Sequence, residues 1–163
     1  MPHRSLCRPF AALLLGGALA AGCGGGAAGP CGPITREALD PAYLVHVLAS
    51  EGAVEYLSDP PTSGPHQPGP PVEGVLRDPL TRPVQVGVLE RGDVLLQHEP
   101  ELDPAARAEL EGLAGDRVVV APNPDLEDAV VATAWVFKRR CDAVDRAALE
   151  EFVAARAGKG PEG

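Results

Sequence analysis

The chain has 163 residues, of which 23 are acidic and 14 basic, giving a net charge of −9. Nucleic acid is not an expected partner on this balance, because phosphate recognition needs clustered Lys and Arg. The one dense basic run, Lys138-Arg139-Arg140, reads as the solvated end of a strand.

In chain order, the first element is a leader. Arg4 and Arg8 precede an apolar run from Ala11 to Ala21, and Leu19-Ala20-Ala21-Gly22-Cys23 has the small residues a lipoprotein signal peptidase needs before its cut. The run is too short for a permanent transmembrane helix of about 20 residues. The expectation is a signal peptide over residues 1–22 and a mature chain that starts at a lipidated Cys23, held extracytoplasmically at the cell envelope. Loss of Arg4 and Arg8 leaves 12 basic against 23 acidic residues, a net charge of −11. So acidic a body is repelled by anionic lipid, and the membrane partner has to be reached through acyl chains rather than charge. Residues 23–33 read as the lipidated cysteine and a flexible glycine-rich tether, which spans about 15 Å between Cys23 and Cys31 as a random coil. Residues 34–163 read as one globular domain, a length that folds without a metal staple.

Cys7 leaves with the leader and Cys23 takes the lipid, so Cys31 and Cys141 remain. In an oxidising compartment they read as a disulfide; the alternative is two free thiols acting as metal ligands, but neither has a second Cys or a His at metal-site spacing.

Residues 34–50 have mixed signals. Asp40-Pro41 could open a helix, while Tyr43, Leu44, Val45 and Val47 also suit an extended segment. Residues 53–57 read as a short strand ended by Ser58-Asp59-Pro60-Pro61. Six of the twelve residues 60–71 are proline, which predicts a stiff, extended surface loop. Residues 84–89 alternate as a strand and turn near Arg91-Gly92 into a second strand at 94–96, a hairpin or a bulged pair. Asp103-Pro104 is a helix start, with Ala106, Leu110 and Leu113 on one face and Gly115 as the stop. Residues 117–121 and 129–137 read as two further strands, with Trp135 in the core. A last helix opens at Asp145, where Val144 and Leu149 form a hydrophobic staple, and runs to Gly158. The fold class is α+β, with a small, mostly antiparallel or mixed sheet and two flanking helices.

The run Pro60-Pro61-Thr62-Ser63-Gly64-Pro65-His66 resembles the bacterial family known as domain of unknown function 3105. Supporting landmarks follow in order: Leu89-Glu90 with Gly92 and Val94, Val120-Ala121-Pro122, Thr133-Ala134-Trp135, and the tail Gly158-Lys159-Gly160-Pro161-Glu162. The likeness covers about residues 43–162. It implies an extracytoplasmic, often lipid-anchored protein whose histidines suggest a copper or zinc site: one in the proline motif, two in a segment His-x-Leu-Glu-His-Gly. Here the first is His66, but Gly87 and Arg91 stand where the other two would be. A protonated arginine cannot ligate a metal, so the site is expected to be degenerate, with a candidate binding set of His66, Glu90 and Arg91. Arg91 is expected to meet Glu90, Asp93 or an anionic ligand.

His46 and His98 could join His66 in a copper or zinc site if the fold gathers them; otherwise His66 pins its loop by hydrogen bonding. Catalysis is not expected. Ser63 and His66 lack a nucleophile elbow or an orienting third group, which leaves an envelope hydrolase as a distant reading. Asp125, Glu127 and Asp128 lack the glycine and distal glutamate of a calcium loop. The reading is therefore a non-catalytic binding or structural protein of the cell envelope, with no resident cofactor and an envelope protein or small ligand as partner. Mass spectrometry of the mature N-terminus should find an acylated cysteine at position 23, and Cys23→Ser should lose membrane partitioning. An unmodified terminus elsewhere would overturn the anchor.

Overall fold

A computed structural model describes residues 29–48 and 54–162. The expected leader and Cys23 lie outside these residues. The described chain forms β1 (Thr35–Arg36), α1 (Arg82–Glu90), β2 (Val94–His98), α2 (Pro104–Glu111), β3 (Val118–Pro122), β4 (Val130–Ala134), β5 (Phe137–Cys141) and α3 (Arg146–Arg156). The five strands make one mixed sheet in the order β1-β5-β4-β2-β3. The β2–β3 pair is parallel, with α2 as the crossover, and the other neighbours are antiparallel. The class is α+β, with three helices rather than two.

Side chains alternate across the strands, so the sheet has two apolar faces. Val94, Leu96, Val118, Val120, Val130 and Ala132 pack with Leu110 of α2 and Leu149 and Phe152 of α3. On the other face Leu95, Val119 and Ala121 pack with Val88 and Leu89 of α1. Helices α2 and α3 start where their caps predict: Asp103 accepts from the amides of Ala105 and Ala106, and Asp145 from that of Ala148. Helix α2 ends one turn early, at Glu111.

Residues 84–89 are not a strand, and no hairpin joins them to 94–96. They lie in α1, with Gln85 to Leu89 all buried. A helix enclosed on several sides needs apolar residues all round, and a valine-rich run supplies them at the cost of a weak helix propensity. Residues 54–57 are likewise not a strand. The expected single strand at 129–137 is two, β4 and β5, joined by a two-residue turn at Trp135-Val136. Val136 has φ 54°, a left-handed conformation that is strained for a β-branched residue. The strain is held from both sides: the Val136 amide donates to Thr62 O at 3.0 Å and its carbonyl accepts from Glu37 N at 2.9 Å. Trp135 sits in this turn and is half-buried, edge-on to Tyr43 with ring centroids 6.1 Å apart.

Cys31 and Cys141 form a disulfide, with sulfurs 2.00 Å apart across a sequence separation of 110. Around it Gly32 N donates to Arg140 O and Asp142 N to Pro30 O, so the chain is already fixed to the edge of the sheet inside the span read as tether.

The proline segment is not a surface loop over its first half. Residues 60–66 are buried and only 67–71 come toward solvent. The basic run does not solvate a strand end but holds this segment down. Lys138 is 2% exposed and its Nζ donates to Asp59 O at 3.1 Å, the same carbonyl that takes a hydrogen bond from Arg140. Arg139 donates to Gly32 O and Ala148 O and pairs with Glu151. Burial lowers the Lys138 pKa from 10.5 to about 8. Because the folded protein releases this proton before the unfolded chain does, stability rises with pH from about 8 towards 10 and is lost as pH falls through 8. Urea titrations from pH 7 to 10 should show wild type gaining on Lys138→Met across that window. Parallel curves would refute the coupling.

Candidate functional site

The proline segment brings His66 to α1. Its backbone pairs with the 45–47 stretch: Val47 N donates to His66 O at 2.9 Å and His66 N to Val45 O at 3.0 Å. This ladder sets the two imidazoles beside each other, with ring centroids of His46 and His66 4.8 Å apart and planes inclined at 73°. The loop is braced from below. Ser63 Oγ accepts from Asp40 N at 2.9 Å, and Tyr56 Oη donates to Pro65 O at 2.8 Å. Burial pushes the Tyr56 phenol up to about 12, which keeps it a donor at neutral pH.

On the helix side, Gln67 N donates to Pro83 O at 3.1 Å, and the loop passes so close to α1 that a Cβ at position 87 would stand 3.0 Å from Gln67 O. Gly87 permits that approach. One turn on, Glu90 Oε2 lies 2.7 Å from His66 Nε2. The His66 side chain is 1% exposed and that of Glu90 14%. The contact is ionic in distance but off the ring N–H direction, so Nε2 lacks an aligned hydrogen bond, whereas Nδ1 is 3.3 Å from Gly64 O. Removal from water raises the Glu90 pKa above 4.5, and the nearby Glu162 adds to that; His66, His46 and Arg91 oppose it. The C-terminal tail closes the far side, where Gly158 N donates to Gly92 O at 2.8 Å and Glu162 N to Glu90 O at 3.3 Å.

Of the residues singled out from sequence, His46, His66 and Glu90 come together. Arg91 turns away from the imidazoles: its Nη1 donates to Gly87 O and its Nη2 meets Asp93 at 3.3 Å, a partner shared with Arg117. His98 belongs to a different place, at the end of β2 on the strand face of Val94 and Leu96, with its Nδ1 2.7 Å from Glu99 O. Among the described residues, no three His, Cys, Asp or Glu side chains stand where they could share one metal ion. Ser63 is occupied in bracing the loop. Sequence reasoning missed Asp40, Tyr56 and Glu162; only the tail motif containing Glu162 stood out, and without a role.

A family model described as protein of unknown function (DUF3105) matches residues 46–163, and the chain belongs to that family. No curated protein and no solved structure matches it.

The geometry at position 87 makes a steric prediction. A histidine placed there would press its Cβ on the Gln67 carbonyl, which is backbone. Gly87→His should therefore cost about 1 to 3 kcal/mol, as overpacking does. Chemical denaturation measures this directly, and an unchanged midpoint would show that the loop yields freely.

Proposed function

We propose that this member of the DUF3105 family is a lipid-anchored, extracytoplasmic domain with a non-catalytic binding or structural role, its histidine site held shut by its own carboxylate. The observation that carries the second half is the 2.7 Å approach of Glu90 Oε2 to His66 Nε2. The nitrogen a metal would use faces an internal anion, and the contact fastens the proline segment to α1. Support for the location comes from the lipobox at residues 19–23 and from the Cys31–Cys141 disulfide, which suits an oxidising compartment. The non-catalytic reading is supported by Ser63, whose oxygen is taken up by the Asp40 amide. The partner is an envelope protein or a small ligand.

A second reading is a copper or zinc binder. It is favoured by the adjacency of His46 and His66, whose ring centroids lie 4.8 Å apart. Calorimetry of the untagged protein with Cu(II) and Zn(II) separates the two. The closed site predicts binding weaker than micromolar and insensitive to His66→Ala. Submicromolar one-to-one binding abolished by His66→Ala would replace the first reading with the second.

A further inference from the structure

A separate cavity of about 450 Å³ lies away from the histidine pair, and Arg77, His98, Arg107 and Glu111 line it among apolar residues. Its position follows from the topology. Strands β2 and β3 run parallel and end at His98 and Pro122. The segment at Gly74 to Leu76 joins β3 as a further parallel partner: Val75 bridges Val120, Val120 N donates to Gly74 O, and Leu76 N donates to Val120 O. Three parallel segments thus end at one crevice, closed by α2. In open sheets with parallel strands, the crevice beyond their carboxyl ends is where ligands settle.

The cavity has the opposite electrostatic character to the rest of the chain. Arg107 is fixed: its Nη2 donates to the carbonyls of Pro100 and Leu102, while Nη1 makes no hydrogen bond among the described residues. His98 is 3% exposed and its Nδ1 donates to Glu99 O, so Nε2 of the neutral ring is left as an acceptor that the hydroxyl of a protonated oxyanion, such as a hydrogenphosphate, can meet. Arg77 is exposed at the rim. Two guanidinium groups against one carboxylate, Glu111, leave one positive charge to be balanced. A cation held rigidly by backbone carbonyls, with donor capacity left over, is what preorganised recognition of an oxyanion requires.

We propose that this crevice binds a small oxyanion-bearing molecule, with Arg107 as the fixed anchor, His98 as the side-wall partner and Arg77 closing from the rim. The site is independent of the histidine pair and of the function proposed for it.

The test is an NMR titration of the isotopically labelled protein at constant ionic strength, with inorganic phosphate in one arm and propionate in the other. Arg107 and His98 side-chain resonances should shift saturably with at least one probe, and the arm with the lower Kd identifies a phosphate or a carboxylate as the natural group. Arg77→Ala removes an exposed side chain and leaves the fold intact; it should weaken binding several-fold. Arg107→Gln should weaken it at least ten-fold. Shifts that rise linearly with both probes, or saturable binding unchanged in Arg77→Ala, would overturn the proposal.

Discussion

The seating of the proline segment on α1 is the contact on which the rest of this structure turns. It is made three times over: by Gln67 N on Pro83 O, by the close approach that Gly87 allows, and by Glu90 against His66. Without that cover, the buried valine and leucine side chains of α1 would lie between the sheet and water. The segment is held from the sheet side as well, through Thr62 O on the strained Val136 turn and Asp59 O on Lys138. A hydrogen-bonded loop thus does the work that a second helix layer does on the opposite face, where α2 and α3 cover Leu96 and Val120.

The price of that arrangement is polar burial. Lys138 and His66 are both almost wholly withdrawn from water, and each faces an oxygen rather than solvent. Breaking such a contact from one side leaves the other group buried and unmatched, which costs more than the contact itself contributes. The contacts of His66 with His46 and with Glu90 therefore tie the proline segment to the 45–47 stretch and to α1 together.

How much of this was legible follows from where each signal is stored. Helices α2 and α3 carry their information locally, in Asp103-Pro104 and in Asp145 with Val144 and Leu149, and the sequence pattern finds both starts. The cysteine pair is readable by elimination, since Cys31 and Cys141 remain when Cys7 and Cys23 are set aside, and the α+β class follows from the interspersed strand and helix patterns. Helix α1 is not, because alternating valines look like a strand until the burial on both sides is known. A local sign was present nonetheless: Thr81-Arg82-Pro83 puts a capping-type residue and an early proline at the helix start. The proline motif points to His66, and the landmark Leu89-Glu90 with Gly92, read through the family resemblance, points to Glu90. Which histidine joins them depends on the backbone ladder between 45–47 and His66, a long-range pairing with no sequence signature. The roles of Lys138 and Asp40 are equally non-local, since both are defined by what lies across the fold.

The disulfide has a mechanical meaning beyond stability. Cys31 stands at the entry of the described domain and is bonded to Cys141 at the end of β5, beside the backbone hydrogen bonds of Pro30 and Gly32. Tension on the chain upstream of Cys31 passes through that covalent bond straight into the sheet. The long excursion from residue 32 to the proline segment lies inside the closed loop and carries none of the load. The parts of the molecule that hold His46, His66 and Glu90 in place are therefore shielded from any pull exerted at the N-terminal side.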